Sequence, residues 1–322
     1  MINILFIILS LLLSLAIDLI FCELPSKIHP VVIIGKMITF FKNIFIKINS
    51  RISGLLTLIC VTIVSSVILY LIYYINLFNN YLFFAMFTII LTSTFSVKLL
   101  LKTASDVKDD LDVSIDQARQ SVSYLVSRNT DELTESFIVS AVIESMTENI
   151  TDSYVAVIFY YTIISIIVLI LNIENGLFYI IFAAVFYRIA NTLDAMLGYK
   201  TDELEKIGFV PAKLDDILNY IPARLSGVLI VISAYFLKYD YKNAYKIMLR
   251  DARNCPSPNS GYTMAPTAGA LNIKLIKKNT YTLGDENKQI TKDDISKAVS
   301  ISKLTIFLFT LIVLFVFIMV II

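Results

Sequence analysis

The chain has 322 residues, of which 57% are hydrophobic and only 16% charged, and its mean hydropathy is +0.77. Soluble domains hold apolar residues to about half at most, so the composition excludes a soluble globular protein and implies a polytopic membrane protein. The net charge of +1 and the lack of a basic–aromatic motif give no nucleic acid among the partners.

In chain order, Ile2–Phe21 is apolar over the roughly 20 residues that one bilayer crossing needs. It has no basic segment before it and no small-residue cleavage site after it, so a retained transmembrane helix is expected, not a signal peptide. Residues 31–48 carry Lys36, Asn43 and Lys47 on one stripe, the pattern of an interfacial or re-entrant helix. Further spans are expected at Gly54–Ile75, Tyr81–Leu101, Tyr154–Leu171, 176–190 and Leu304–Ile322. Tight hairpin tips are expected at 76–80 and 172–175. Apolar residues recur at helical spacing through Val107, Leu111, Ile115, Ala118, Val122 and Leu125, and a second helix is expected to start at Asn129 as N-cap, with Glu132 three positions on. Cys22, Cys60 and Cys255 form no CxxC pair, so neither a disulfide framework nor a zinc site is implied.

All 27 Lys and Arg fall in segments 22–53, 98–153, 188–224 and 238–303, and none in the hairpin tips. The positive-inside rule then puts those segments in the cytoplasm and the N-terminus outside. A full crossing by Leu225–Leu237 would carry the most basic segment outside. That stretch is also short for a span, so a re-entrant or buried half-helix and six true crossings are expected. The expected fold is all-α: a polytopic helical bundle in the cell membrane, one membrane-embedded domain over residues 1–322. Residues 238–303 are expected to form a small cytoplasmic lobe before the last transmembrane helix.

Four polar clusters fall in those segments. The first is Lys27-Ile-His29-Pro30 with Gly35, holding the one histidine; a turn fixed by Pro25 and Pro30 explains much of it. The second is Arg119, Arg128-Asn129-Thr130 and the acidic stretch Glu144-Ser-Met-Thr-Glu148-Asn149-Ile-Thr-Asp152. As a helix, the last places Glu144, Glu148 and Asp152 within roughly 80° of one another, opposite Ile138, Val142, Met146 and Ile150. No Lys or Arg lies between Arg128 and Arg188 to balance that face. It is either a wet acidic face or one that takes its cations from a metal ion or from distant arginines.

The third cluster runs from Arg188, Asn191 and Asp194 through Gly198-Tyr199-Lys200 to Leu214-Asp215-Asp216-Ile-Leu-Asn219-Tyr220-Ile-Pro222-Ala-Arg224. Asp215 and Asp216 share a helix face with Asn219, and Arg224 follows a proline expected to end a helix. Arg188 closes an apolar span, where a charge is costly and marks a functional or paired site; plain anchoring with snorkelling is the alternative. The fourth cluster is Pro256-Ser257-Pro258-Asn259-Ser260-Gly261-Tyr262, a stiff turn before a run of small residues. Free N–H groups at such a helix start suit phosphate, and a plain connecting loop is the alternative. Walker, kinase, dinucleotide and Ser/His/Asp signatures are absent. Carboxylates with Asn fit Mg²⁺, and arginines fit phosphate or carboxylate, which points to chemistry on anionic substrates at a membrane surface.

Five motifs then carry a resemblance: H-P-V-x3-G, E-S-x2-E-N-x2-D, N-T-L-D-A-M-L-G-Y-K, L-D-D-I-L-N-Y-I-P-A-R and S-P-N-S-G-Y with A-G-A-L, in that order. Together they resemble the adenosylcobinamide-phosphate synthase family of cobalamin biosynthesis (CobD/CbiB), over nearly the whole chain. The resemblance implies an amide-forming ligase. ATP, with Mg²⁺, would activate a propionate carboxylate of adenosylcobyric acid, and (R)-1-aminopropan-2-ol or its O-phosphate would attack it. It implies that Glu144, Glu148, Asn149 and Asp152 hold Mg²⁺ or orient the amine, and that Asp215, Asp216 and Asn219 form a second metal or nucleotide site. Metal ligands are expected at Glu148, Asp152 and Asp216. Arg128, Arg188 and Arg224 would bind phosphate or the corrinoid's carboxylate, with Ser257, Asn259 and Gly261 cradling phosphate. His29, Arg119, Asn191, Asp194 and Lys200 complete the expected substrate-binding set. The lipid bilayer is a partner, and a homo-oligomer is one of the states left open.

Three positions depart from the family pattern: Ser127-Arg128-Asn129-Thr130 replaces G-R-D-T, Cys255 replaces a histidine, and Lys277-Lys278 replaces G-G before Asn279-Thr-Tyr281. The alternatives are a membrane Mg²⁺-dependent transferase acting on a phosphorylated substrate and a corrinoid-binding or transport protein. Against the first, no D-x3-D pair in two copies and no D-G-x2-A-R occurs. Against the second, the central spans carry no charge at the midplane.

Overall fold

A computed structural model of the chain describes residues 4–22, 25, 29–199 and 201–321. The helices are α1 (Ile4–Phe21), α2 (Pro30–Phe45), α3 (Arg51–Tyr74), α4 (Asn80–Ser93), α5 (Val97–Val113), α6 (Ile115–Ser123), α7 (Glu135–Ile150), α8 (Ala156–Ile170), α9 (Gly176–Leu197), α10 (Glu205–Leu218), α11 (Tyr220–Phe236), α12 (Tyr241–Asp251), α13 (Gly261–Leu271) and α14 (Asp293–Ile321). One antiparallel hairpin, β1 (Leu275–Lys277) with β2 (Tyr281–Leu283), supplies all the strand among the described residues. Among the described residues, six helical segments are long and apolar enough to cross a membrane: Ile4–Phe21, Arg51–Leu77, Asn80–Val113, Glu135–Ile170, Gly176–Leu197 and Asp293–Val320. The chain is a multi-pass helical membrane protein. α10 and α11 pass that test only together, as a pair broken at Asn219, the form of a broken span or a re-entrant loop.

The chain folds into two compact units: residues 1–96, 156–218 and 313–322 form the first, and residues 97–155 and 219–312 the second. In the first, α1 carries a polar stripe at four-residue spacing, Ser10, Ser14 and Asp18, and all three are buried while Leu5, Leu9, Leu13 and Phe21 are exposed. This is the pattern of a helix whose apolar side faces lipid and whose small polar side packs on other helices. Ser10 Oγ lies 3.0 Å from Tyr161 Oη, and Ser14 Oγ donates to the Thr88 carbonyl at 2.9 Å. α3 and α10 approach so closely at Gly54 that a Cβ there would fall 2.0 Å from the Ile207 carbonyl oxygen. Both hairpin tips rest on asparagine. Asn79 caps α4 through its side chain, and Asn172 and Asn175 take the left-handed conformation that Asn tolerates better than most residues.

The second unit corrects three expectations. The predicted helix at Asn129 is a loop; Asn129 Oδ1 instead accepts the Asp131 N–H at 2.9 Å, a local turn that competes with helix, and α7 begins at Glu135. The periodic run 105–125 breaks at Ser114, whose hydroxyl accepts the Gln117 N–H and caps α6. α7 is not amphipathic: Ile138 to Thr147 are all buried, Glu144 and Ser140 included. Elsewhere in this unit Ser233 and Thr305 pair their hydroxyls at 3.0 Å, a polar tie between apolar helices. α14 starts well before Leu304 because Asp294, fully buried, accepts from the Thr291 N–H at 3.0 Å and pairs with Lys288 at 2.5 Å and Lys297 at 3.0 Å. In β2 the alternation of strand side chains puts Tyr281 on the same face as the fully buried Leu283.

Candidate functional site

Glu144 is the centre of the second unit. Only 1% of it is exposed, and a carboxylate taken out of water must be paired to remain charged. Arg128 Nη2 donates to its Oε2 at 2.5 Å, Tyr281 Oη donates to the same oxygen at 2.9 Å, and Ser140 Oγ donates to Oε1 at 2.5 Å. Ser140 Oγ in turn accepts the Ile276 N–H at 2.9 Å, so strand β1 and helix α7 share one hydroxyl. The predicted acidic face is therefore not a wet face: its first member is a buried, fully bonded organiser. Arg128 Nε is buried with no hydrogen-bond acceptor among the described residues, an orphaned donor beside this pair.

One turn further, Glu148 and Asn149 are half-buried, and Asn149 Nδ2 donates to the Ser145 carbonyl at 2.8 Å. Asp152 sits in a π-helical turn over Thr151–Val155, which joins α7 to α8. Its direction therefore departs from the 3.6-residue phase read from the sequence, and such turns recur at functional sites. Thr151 Oγ1 donates to Ser226 Oγ at 3.0 Å and ties the turn to α11. Burial pushes the Tyr281 phenol well above its usual range, and the Glu144 charge adds to the rise. Burial likewise pushes the Cys255 thiol up to about 12; the Ser260 bond opposes this, and the charges of Glu148 and Glu144 reinforce it. Cys255, where the family pattern has a histidine, is thus a neutral thiol beside the carboxylates.

A second cluster of this unit gathers the S-P-N-S-G-Y turn around Arg224. Arg224 Nη1 donates to Asn259 Oδ1 at 3.1 Å, and the guanidinium lies over the rings of Tyr220 (3.4 Å) and Tyr262 (4.2 Å). Ser257 Oγ accepts the Asn259 N–H at 3.2 Å, and Gly261 opens α13 where a Cβ would meet the Ala252 carbonyl at 2.1 Å. The Arg253 guanidinium, bonded to the Tyr262 hydroxyl, holds that phenol below its usual range. Pro222 does not end a helix: it is the third residue of α11, where its missing N–H loses no helical bond. Arg119 serves the loop, with Nε on the Leu133 carbonyl at 3.0 Å and Nη1 on Asp116 at 2.8 Å. Asn219, at the break before α11, is buried.

The first unit holds the other predicted residues. Arg188 places Nε (2.7 Å) and Nη2 (2.5 Å) on the Thr94 carbonyl, and Nη1 on Asn191 Oδ1 at 3.0 Å. Thr94 is the C-cap of α4, so the guanidinium satisfies a helix end that carries negative partial charge. Asn191 Nδ2 reaches Asp215 Oδ1 at 3.3 Å, and Asp216 pairs with Lys213 at 3.3 Å. The Asp194 carbonyl accepts the Gly198 N–H at 2.7 Å, closing α9. His29 is buried and N-caps α2, its Nδ1 accepting the Val31 N–H at 3.2 Å. Lys27 and Lys200 lie outside the described residues.

Sequence reasoning missed Ser140, Tyr281, Arg253, Tyr220 and Tyr262. Ser140 and Tyr220 carried a signal, each lying four residues before its partner, Glu144 or Arg224, on one helix; the other three are brought in by tertiary structure. Among the described residues no three His, Cys, Asp or Glu side chains gather as a metal cage. Mg²⁺ does not require one, because it keeps several waters and takes one or two carboxylates with substrate phosphates. Glu148 and Asp152, an oxygen-only pair four residues apart on one helical run, fit that requirement.

Six spanning helices and a buried carboxylate–guanidinium pair define a multi-pass membrane protein with a built ionisable site. Residues 11–303 match the family described as CobD/Cbib protein, and the chain belongs to that family. It is 41% identical over 301 residues to the probable cobalamin biosynthesis protein CobD of Methanothermobacter thermautotrophicus, covering 94% of this chain and 95% of that protein. It is 38% identical to the Methanococcus aeolicus protein of the same description, covering 95% of each. To the cobalamin biosynthesis protein CobD of Leptospira interrogans it is 32% identical, covering 93% and 95%. No solved structure matches the chain.

Proposed function

We propose that this protein acts in cobalamin biosynthesis as an adenosylcobinamide-phosphate synthase. It joins a propionate carboxylate of adenosylcobyric acid to (R)-1-aminopropan-2-ol or its O-phosphate in an ATP-dependent amide-forming reaction. Family membership over residues 11–303 supports the pathway. The observation that carries the chemistry is the orphaned, buried Nε–H of Arg128 beside a Glu144 that is already fully bonded. Among the described residues that donor meets no acceptor, and it suits an anionic oxygen, such as the substrate carboxylate or a phosphate.

A carboxylate is a poor electrophile, and ATP converts one of its oxygens into a phosphate-bearing leaving group. In this reading Arg128 positions the anion, Glu144 fixes Arg128, and Tyr281 and Ser140 fix Glu144. The amine nitrogen loses its proton to water as the C–N bond forms and the activated oxygen departs as phosphate. Glu148 and Asp152 would hold Mg²⁺, which when bound would supply positive charge beside the reacting carboxylate. Asp216, in the first unit, would be a ligand of a second ion. Arg224, with Asn259 and Ser257, binds a phosphate, and the loops that carry these groups face the cytoplasm.

The test is incubation of the purified full chain with adenosylcobyric acid, ATP, Mg²⁺ and each amine in turn, read by mass spectrometry. The amide product with one amine or both is expected. No amide and no ATP turnover with either would sink the proposal. A reporter tag at residue 240 is expected on the cytoplasmic side.

A further inference from the structure

The second unit holds a half-open cavity of about 580 Å³ between the start of α7 and the strand β1. Its wall includes Ser140, whose hydroxyl bonds Glu144, and Ile276, whose N–H bonds Ser140. The volume lies within the range of small-molecule sites. Its charged lining is Lys274, Lys288 and Glu286, a net positive set, and Lys278 sits over the ring of Phe137, another wall residue. Glu286 is mostly exposed and only 3.7 Å from Lys274, a loose pair that a stronger anion can displace. The first turn of α7 also enters this wall through Ser136 and Phe137. Its N-cap, Thr134, makes no side-chain cap bond, so first-turn N–H groups are open there, although exposed Glu135 in the same turn offsets part of the helix-end charge and leaves the lysines as the main counter-charge.

We infer that this cavity is the polyphosphate subsite of the nucleoside triphosphate, with Lys274 and Lys288 as its counter-charges and the first turn of α7 as its backbone donor set. The inference rests on the ATP-dependent reading above. It places the nucleotide on the hairpin side of Ser140, so that the hydroxyl of Ser140 is the group linking nucleotide occupancy to the Glu144 carboxylate. None of Lys274, Lys288, Ser136 or Phe137 belongs to the motifs that carried the sequence resemblance.

The test is equilibrium binding of Mg·ATP, inorganic tripolyphosphate and adenosine to the purified full chain in detergent, alongside amide formation. Wild-type protein is expected to bind Mg·ATP and tripolyphosphate competitively and adenosine not at all. Lys274→Glu should weaken both anions about ten-fold, the worth of one charge-assisted bond, and Lys274→Arg should bind as wild type. Because Lys288 also pairs with buried Asp294, its loss can unfold the chain. Gln289→Trp therefore serves as the second variant: it narrows the cavity without changing charge and should weaken Mg·ATP binding while thermal stability holds. Wild-type turnover with Lys274→Glu and Gln289→Trp binding as wild type overturns this placement and leaves the synthase reading intact. A wild-type chain that neither binds ATP nor forms amide overturns both.

Discussion

Two arginines, one in each unit, show two ways to keep a guanidinium among apolar helices. Arg188 places Nε and Nη2 on a backbone carbonyl at the end of α4 and Nη1 on Asn191. Arg128 gives one nitrogen to a carboxylate and keeps Nε buried with no acceptor among the described residues. The first has been absorbed into the fold as a helix cap; the second holds a donor in reserve. Both were legible as charges needing partners, but the sequence assigned them one role, and only their acceptors separate them.

The largest effect is expected from breaking the Arg128 pair. Glu144→Ala leaves a buried guanidinium without its counter-charge, and such losses destabilise by about 3–5 kcal/mol. Apparent Tm in detergent should fall steeply, and amide formation should vanish. Arg128→Ala should cost about as much, since it leaves the more deeply buried Glu144 with two neutral donors and no counter-charge, and it should be equally severe in activity. A clearly smaller Tm loss in Arg128→Ala would mean that Ser140 and Tyr281 hold the carboxylate without the guanidinium.

Arg188→Lys sharpens the contrast from the other side. Lysine keeps the charge but cannot place a planar fork on Thr94 and Asn191 together. A loss of about 1.5–3 kcal/mol is expected from bonds to a charged group, with KM for each substrate unchanged in the folded fraction. A raised KM with intact stability would return Arg188 to the substrate-binding set.

How much could be read in advance follows physical lines. Spans were legible because about 20 apolar residues mean one thing in a bilayer. The asparagine tips were legible because Asn both caps a helix start, as Asn79 does, and takes positive φ, as Asn172 and Asn175 do. The start of α7 was not, because Asn129 supports a local turn as well as it supports a cap. The choice between a wet acidic face and one paired with distant groups stayed open because periodicity within one helix cannot see a partner 137 positions away, which is where Tyr281 stands from Glu144. The hairpin that delivers Tyr281 is two three-residue strands, too short for alternation to be told from chance.

That hairpin yields the smallest prediction. Tyr281→Phe removes one of three bonds on Glu144 and should lower stability by about 1 kcal/mol near pH 7.5. The phenol is held above its ordinary value, by burial first and by the Glu144 charge second, so the folded chain keeps this proton after the unfolded chain has released it. Its contribution is fully present below about pH 10, the unfolded value, and is lost as pH rises further. Wild type and Tyr281→Phe should therefore keep a constant gap in apparent Tm between pH 7.5 and 9, and the gap should close above pH 10 as the wild type falls faster. Lysines and other tyrosines titrate in both proteins and cancel from the difference. A gap that stays constant to pH 11 would show that the hydroxyl is not held neutral against the carboxylate, and would detach strand β2 from the site.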